Sequence, residues 1–304
     1  MPNSAPGPSW RPAFLPPTED FQLLYSGRIR EGTPGTLTRE SYNVWKAVSS
    51  ELGFLDPMPL TDYSSDAYRV AVNDSAKVSD YFRLHDSQQI PYLQLANGHF
   101  GRDSVVADCG CGAGSLLDLI RGMARETIAI EPFAGYHDDL KRRGHTTYSD
   151  LPQAVSQRKA SVDLALSIHV IEHTTDPVAY LRHIHDLLKP GGTAIIVTPN
   201  LNDILLALDP TRFAPFFFRR VHNYYFTLRA LRHAIGMADL VEEAPISLHE
   251  FGISNCLLWL KNGVPSGRTP IPHISAQLDA VWQRSLESQG LANQVGIVAK
   301  RRTV

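Results

Sequence analysis

The stretch "VVADCGCGAGSLLDLI", Val105 to Ile120, decides the fold of this chain. An apolar run ends in Asp108, three glycines follow at positions 110, 112 and 114, and an amphipathic run comes next. Glycine lets the backbone turn sharply and lets a ligand approach where a Cβ would block it. In an open α/β sheet such a strand-to-helix turn lies at the edge where ligands bind. The stretch therefore predicts a strand, a ligand-binding loop and a helix.

A carboxylate is placed to complete this site. The next apolar run, "TIAIEPF", carries Glu131, about twenty residues beyond the first glycine, where an acid can accept hydrogen bonds from both ribose hydroxyls of a nucleoside. Loop and acid together predict an adenosine-type cofactor. They do not by themselves separate a dinucleotide from S-adenosylmethionine, although position 115 is serine and the third glycine of G-x-G-x-x-G is missing.

Around these two runs, short apolar segments alternate with helix-length amphipathic ones, a pattern typical of βαβ units and a parallel sheet. The predicted strands are 104–109, 126–131, 145–148, 162–168, 193–198 and, at the end of the chain, 294–301. The predicted helices are 38–52, 79–96 with a kink at Pro91, 114–123, 134–143, 151–157, 177–188, 228–235 and 274–288.

The amino-acid composition argues against several classes of protein. The 304 residues are 43% hydrophobic and 20% charged, an ordinary balance for a chain with a substantial core. Lysine and arginine total 29 against 31 acids, which argues against a nucleic-acid partner. The short basic runs 141–143 and 219–220 are typical of solvated surface, with contact to a phosphate-bearing ligand as the alternative. The absence of an apolar run of membrane length, of a signal pattern and of a cysteine framework predicts no membrane span and a cytoplasmic location.

The string "HVIEHTTD", His169 to Asp176, matches the inverted zinc-protease pattern H-x-x-E-H. Its neighbours argue against that interpretation. His169 follows directly on the predicted strand 162–168, and only about one turn of helix fits before Pro177. A zinc-protease helix would be long on both sides, so we predict no metalloprotease.

Four motifs in register resemble those of class I S-adenosylmethionine-dependent methyltransferases. "VVADCGCGAG" is similar to their first motif and "AIEPF" to the acidic motif, whereas "VDLALSIHVIEHTTDP" and "LLKPGGTAIIVTPN" resemble the motifs of the fourth and fifth strands. "HNYYFTLRALRHAIGMADL" resembles the segment that follows. The likeness spans residues 103–200 and is greatest to small-molecule enzymes of the ubiquinone-pathway-like and sugar-modifying branches.

The resemblance implies an α/β, Rossmann-like, seven-stranded and mostly parallel sheet with helices on both faces and an antiparallel last strand. Residues 1–78 then form a partly irregular, helical N-terminal extension. Residues 79–304 form the methyltransferase domain, in which 201–290 contain an acceptor-binding lid, with Trp259 and Phe216 to Phe218 in the acceptor pocket or simply in the core.

The resemblance also implies S-adenosylmethionine as cofactor, with S-adenosylhomocysteine as product. Glu131 would bind the ribose and Phe133 or Pro132 would cover the adenine. Asp150 would bind the adenine amino group, or simply cap a helix. The other implied cofactor residues are Asp108, Gly110, Cys111, Gly112, Gly114, Ser167, Ile168 and His169. Cys109 and Cys111 could suggest a metal, but inside a glycine loop they are predicted to be small packing residues.

Transfer of a methyl group to a hydroxyl needs a base, and histidine suits this role because its ordinary pKa is about 6.5. His169 is the first candidate, followed by His173 and His222; for His222 the alternative is an imidazole bonded within its aromatic segment. In ubiquinone-pathway enzymes the corresponding string resembles E-x-x-E-H and is implicated in cation binding. Here His169 replaces the first acid, so we predict no metal, and Glu172 is expected to pair with His173 and the loop backbone.

The leading functional hypothesis is O-methylation of a small polar acceptor, such as a sugar, nucleotide sugar or glycan end. The histidines, tyrosines and arginines of the predicted lid suit a polyhydroxylated molecule. Three alternatives stay open: a quinone or phenol acceptor with a divalent cation, a non-catalytic S-adenosylmethionine-binding protein, and a nicotinamide oxidoreductase. A homodimer is also left open.

Overall fold

The computed structural model describes residues 7–32, 34–71 and 77–303 of the chain. These residues belong to two compact units. The first unit comprises Met1–Leu60, Pro199–Leu231 and Ser247–Val295, and the second comprises Thr61–Thr198, Arg232–Ile246 and Gly296–Val304. The predicted N-terminal extension and the predicted lid therefore both contribute to the first unit. No helix of the described residues is long and apolar enough to span a bilayer.

The strands are β1 Phe21–Gly27, β2 Tyr42–Ala47, β3 Gly53–Asp56, β4 Val105–Cys109, β5 Glu126–Ile130, β6 Thr146–Tyr148, β7 Val162–Ile168, β8 Leu188–Pro199, β9 Tyr224–Tyr225, β10 Leu240–Leu248 and β11 Gln294–Arg301. The helices are α1 Asp66–Ala71, α2 Val78–His85, α3 Ile90–Ala96, α4 Ser115–Arg121, α5 His137–Arg142, α6 Leu151–Arg158, α7 Pro177–Leu187, α8 Ile204–Leu208, α9 Pro210–Phe217, α10 Leu228–Met237, α11 Ile253–Asn262 and α12 Ala276–Gln289. Single 3-10 turns occur at Asp86–Gln88, Ala134–Tyr136 and Ile171–His173.

A seven-stranded sheet has the order β10-β11-β8-β7-β4-β5-β6. β4 pairs in parallel with β5 and β7, which in turn pair in parallel with β6 and β8. The sheet is mostly parallel and has one antiparallel edge, which confirms the predicted fold class. Because β4 and β7 are parallel neighbours, the loops that follow them start at the same edge of the sheet. Those loops carry the glycines and His169.

The first unit contains a four-stranded sheet of order β1-β2-β3-β9, whose pairings are antiparallel. The predicted helix over 38–52 is wrong, because that segment contains β2. Val44 pairs with Leu55 and Trp45 with Phe54, and all four side chains are buried. Burial on both faces of a strand produces a continuous apolar run, which periodicity alone does not distinguish from a buried helix. Pairing with β1 and β3 therefore stabilises this segment as a strand.

The predicted helix over 79–96 is two helices. α2 ends at His85, a 3-10 turn follows, and α3 begins at Ile90. Pro91 occupies the first turn of α3, where its missing N–H has no intrahelical partner to lose. The proline therefore marks the start of a helix rather than a kink within one.

The region 201–290 contains elements that we did not predict, namely α8, α9, β9, β10 and α11. α9 contributes Phe213 and Phe217 to a buried cluster of the first unit, where they pack with Trp259 and Phe218. The ring centroids of Phe213 and Trp259 lie 5.0 Å apart in an edge-to-face arrangement. These aromatic side chains form core, which was the alternative to a role in the acceptor pocket.

Candidate functional site

The loop between β4 and α4 needs its glycines. Gly110, Gly112 and Gly114 have φ values of 88°, 55° and 92°, in the left-handed region that side chains disfavour. A Cβ on Gly110 would lie 2.5 Å from Cγ2 of Val170, closer than any real contact. The backbone N–H groups of Gly110 and Cys111 donate to the carbonyl of Ile130 over 2.7 and 3.2 Å. The loop is therefore held against the end of β5 and against the residue that follows His169.

Glu131 lies at the centre of this arrangement. Its side chain is 2% exposed and accepts hydrogen bonds from the backbone N–H of Gly112, at 2.9 Å, and of Phe133, at 2.8 Å. Burial raises the pKa of Glu131 above its usual value, against the opposing effects of the Arg69 charge and of the two N–H groups. Glu131, the predicted ribose-binding residue, is thus buried and hydrogen-bonded directly to the glycine loop.

Arg69 is a site residue that the sequence did not reveal. Its Nη2 lies 2.5 Å from Oε1 of Glu131, and the Arg69 side chain is only 9% exposed. Its guanidinium also lies 5.4 and 5.1 Å from the ring centroids of Phe133 and Tyr136. Arg69 is 62 residues from Glu131 in the chain, so no local pattern could have paired them. Arg69 therefore donates to the Glu131 oxygen that is predicted to bind a ribose hydroxyl.

We expect Arg69→Gln to strengthen binding of S-adenosylhomocysteine severalfold. Arg69 competes with a ribose for Oε1 of Glu131, and its charge-assisted bond must be released before a ribose hydroxyl can bind that oxygen. Isothermal titration calorimetry on both proteins checks this, with Arg83→Gln as control because exposed Arg83 pairs only with its helix neighbour Asp80 among described residues. Weaker binding in the Arg69 variant would show instead that the arginine holds Glu131 in its binding position.

Asp108 ends β4 and is 5% exposed. Burial, followed by the nearby charge of Glu131, raises the pKa of Asp108 to about 7, from an ordinary 3.8. The folded chain therefore holds this proton more tightly than the unfolded chain does. The resulting stabilisation is complete below pH 3.8 and is lost as the pH rises through about 7.

Asp108→Asn, which keeps the shape and removes the titration, should accordingly gain stability relative to the parent chain as the pH rises. We expect the difference in urea midpoint between the two proteins to grow from pH 5 to pH 8. Exposed Asp138 supplies the control, since Asp138→Asn should show no such trend. A difference that is constant with pH would contradict the assignment.

His169 follows β7 with φ of 56°, a left-handed conformation that is uncommon outside glycine. Its backbone N–H donates to the carbonyl of Val197 at 2.8 Å, which holds the residue against β8. Nε2 of its ring lies 3.0 Å from the hydroxyl of Tyr92, and Nδ1 lies 3.5 Å from Oε1 of Glu172. About a third of the His169 side chain is exposed. The imidazole is thus both oriented by neighbours and accessible.

Glu172 is the buried partner of that imidazole. Its side chain is 1% exposed, and Oε2 accepts a hydrogen bond from Oγ1 of Thr198 at 3.0 Å. Burial by itself would raise the pKa of Glu172, but contact with His169 and the charge of His173 outweigh it and leave the pKa below its usual value. An ionised carboxylate beside Nδ1 favours a proton on that nitrogen, which leaves Nε2 as the acceptor.

The other two histidine candidates lie in different surroundings. The His173 ring is half-buried and packs edge-to-face against Tyr63, with centroids 5.2 Å apart. His222 belongs to the first unit, where it is buried with its ring 5.8 Å from that of Tyr225. Their catalytic roles stay predictions. The expected pairing of Glu172 with His173 and the loop backbone stays a prediction; the partners described for its oxygens are Nδ1 of His169 and Oγ1 of Thr198.

Several implied cofactor residues have structural partners of their own. Asp150 accepts from the N–H of Gln153 at 2.8 Å and caps α6, which was the stated alternative. Oγ of Ser167 lies 2.8 Å from the hydroxyl of Tyr180, next to half-buried Ile168. Their roles toward a cofactor stay predictions.

Beside the loop, Pro132 is exposed, whereas Phe133 is buried with its ring 4.8 Å from that of Tyr136. Cys111 packs in the same apolar cluster as Phe133. Burial, followed by the charge of Asp108, raises the pKa of both Cys109 and Cys111. A metal binds the thiolate form, so these buried thiols suit packing.

This geometry accompanies a family match that covers more than half of the chain. A family model described as a methyltransferase domain matches residues 83–241. The chain belongs to this family. The match includes the glycine loop, Glu131, Tyr92 and His169, whereas Arg69 lies before it.

Two curated relatives carry methyltransferase names. The chain is 36% identical over 105 residues to a ubiquinone biosynthesis O-methyltransferase of Ruegeria pomeroyi, covering 31% of this chain and 41% of that protein. It is 31% identical over 131 residues to a probable S-adenosylmethionine-dependent methyltransferase of Mycolicibacterium smegmatis, covering 41% and 48%. The matches thus span less than half the length of these relatives.

Among solved structures, a S-adenosylmethionine-dependent methyltransferase from Archaeoglobus fulgidus superposes with a TM-score of 0.50 at 15% identity. It covers 77% of this chain and 98% of the other, a likeness that shows the fold alone. The predicted membership of the class I S-adenosylmethionine-dependent methyltransferases is confirmed. S-adenosylmethionine as the cofactor is confirmed as well.

Proposed function

We propose that the chain transfers a methyl group from S-adenosylmethionine to a hydroxyl group of a small acceptor, with His169 as the base. The observation that carries the proposal is the position of His169 relative to the glycine loop. The two follow neighbouring parallel strands, β7 and β4, and Gly110 contacts Val170, the residue next to the base. Base and donor loop are therefore neighbours at one edge of the sheet.

The residues present fit the cofactor. The loop contains glycines that leave room for a ligand to approach its backbone. A Cβ at Gly110 or Gly112 would collide with a neighbouring side chain. Buried Glu131 offers carboxylate oxygens for the ribose, and ionised Asp108 would suit the positively charged methionine end. When bound, S-adenosylmethionine supplies a methyl group activated by the sulfonium charge.

Residues of this chain accept the proton of the acceptor and stabilise the charge that forms. Nε2 of His169 accepts the proton of the acceptor hydroxyl as that oxygen attacks, and the Nδ1 proton remains directed at Glu172. The imidazolium that forms is stabilised by the buried Glu172 carboxylate, which Thr198 holds through Oε2. The hydroxyl of Tyr92 lies 3.0 Å from Nε2 and donates to it in this structure, so the acceptor hydroxyl takes the place of Tyr92 at that nitrogen before its proton is transferred.

For the acceptor we propose a sugar, a nucleotide sugar or a glycan end. A second candidate is a quinone-type phenol, which several relatives favour, since these are named ubiquinone biosynthesis O-methyltransferases. A phenol loses its proton more readily than a sugar hydroxyl, because phenolic pKa values are near 10. A sugar acceptor therefore depends more strongly on His169.

The test is release of S-adenosylhomocysteine from S-adenosylmethionine by the purified chain. The panel contains nucleotide sugars, free sugars and oligosaccharides, and catechols, each with and without EDTA. Turnover of a carbohydrate that EDTA leaves unchanged supports the proposal. Turnover of catechols alone, lost with EDTA, supports the second candidate.

Two other results would replace the proposal. Tight binding of the cofactor without turnover on any acceptor would indicate a non-catalytic binding protein. Binding of NAD without binding of S-adenosylmethionine would indicate an oxidoreductase.

A further inference from the structure

Two arginines of the first unit lie side by side. Arg30 forms a parallel bridge with Arg219. The N–H of Arg30 donates to the carbonyl of Phe218 at 3.0 Å, and the N–H of Arg220 donates to the carbonyl of Arg30 at 2.9 Å. The backbone therefore holds the two arginines together, so their proximity does not depend on flexible side chains.

Aromatic residues surround this arginine pair. Cζ of Arg30 lies 4.4 Å from the centroid of the Phe216 ring. The hydroxyl of Tyr225 accepts the N–H of Arg219 at 2.8 Å and donates to the carbonyl of the same residue at 3.1 Å. Both arginines are half-buried, so a small ligand in solution can reach them. Ring faces attract a guanidinium but do not neutralise its charge.

Arg30 has no acidic partner in the part of the chain that the structure describes. Among the described residues, no ion pair includes Arg30, and its buried Nε has no hydrogen-bond partner. Burial, followed by the positive charge of Arg219, lowers the pKa of Arg30 to about 9, with Tyr225 acting in the opposite direction. Arginine does not release its proton in a protein at neutral pH, so the cost of burying the charge remains. Adjacent Arg220 differs, because it is paired with Glu31.

We propose that Arg30 and Arg219 form a binding site for the phosphate group of a ligand. A phosphate monoester carries about two negative charges at neutral pH and therefore attracts the buried Arg30 charge more strongly than a carboxylate, which carries one. The planar fork of arginine also suits a tetrahedral oxyanion with several acceptor oxygens. The site lies within the first unit, and the inference does not depend on the methyl-transfer reaction proposed above.

The test uses the full chain with inorganic phosphate and pyrophosphate as probes. The melting temperature is followed at constant ionic strength in titrations with each probe, with chloride and acetate as comparison anions, and dissociation constants come from calorimetry. We expect saturable stabilisation by phosphate and pyrophosphate that chloride and acetate do not reproduce. Arg30→Gln and Arg219→Gln should each weaken phosphate binding about tenfold or more, the loss expected for a hydrogen bond to a charged group.

Arg220→Gln is the matched control, since it removes an arginine from the same segment that already has Glu31 as a partner. It should bind phosphate as the parent chain does. S-adenosylhomocysteine binding by every variant shows whether the chain is folded and tests the methyltransferase assignment separately. The proposal is wrong if the parent chain shows no saturable response, if acetate matches phosphate, or if Arg220→Gln loses as much affinity as Arg30→Gln.

Discussion

Replacing Glu131 by alanine should weaken binding of S-adenosylhomocysteine about a hundredfold or more. Two hydrogen bonds from the ribose to a charged acceptor would be lost, each contributing about 1.5–3 kcal/mol. The N–H groups of Gly112 and Phe133 would also lose the carboxylate that holds the loop against β5. Isothermal titration calorimetry at pH 8 measures the change directly.

The control comes from the same strand. Glu126 begins β5, at the opposite end from Glu131, and forms an ion pair with Arg158 at 2.6 Å. Glu126→Ala should leave the dissociation constant nearly unchanged. Because Glu131→Ala would leave Arg69 buried without its carboxylate, the double variant Arg69→Gln, Glu131→Gln is also measured, as it removes both charges. Binding by this double variant as strong as binding by Arg69→Gln alone would show that the Glu131 carboxylate does not bind the ribose.

The second large effect concerns turnover. His169→Ala should lower kcat about 10²–10⁴-fold, the usual contribution of a positioned general base, and leave S-adenosylhomocysteine binding within a few-fold of the parent. The predicted cofactor contacts of the glycine loop and Glu131 do not involve the imidazole, so its removal should leave them in place.

Glu172→Gln tests the positioning of that base. It keeps the side-chain volume and removes the charge opposite Nδ1, so kcat should fall, but by less than in His169→Ala. His185→Ala is the control, because His185 lies on α7 and pairs with Asp186. It should leave kcat nearly unchanged. Full activity of His169→Ala on the identified acceptor would remove His169 as the base.

The glycine loop and the buried acid beside it were largely predictable, because each of their signals is local. Gly110 and Gly112 are glycines since their own φ values and nearest neighbours exclude a side chain. Glu131 is found by its position after an apolar strand. The base side was predictable only in part. His169 was identified from the end of β7, whereas Tyr92, 77 residues earlier, was not, since only the folded chain brings its hydroxyl to the imidazole.

The first unit shows more clearly where apolar periodicity alone fails to predict secondary structure. β2 was predicted as a helix because its apolar positions, taken alone, allow either structure. Its pairing with β1 and β3 selected the extended form, since backbone N–H and carbonyl groups buried in a core must find hydrogen-bond partners. Three of the later helices were missed because short helices depend on tertiary packing rather than on propensity.

Sequence alone thus determined the parallel sheet, the glycine loop, the acid after β5 and the histidine after β7. Each depends on residues within about one strand and one turn of one another, where periodicity and the steric freedom of glycine act directly. Tertiary structure alone decided that Arg69 bonds to Glu131, that Glu172 and Tyr92 flank His169, and that Arg30 lies beside Arg219. Those contacts join residues far apart in the chain, and the packing of whole elements, rather than any local preference, brings such residues together.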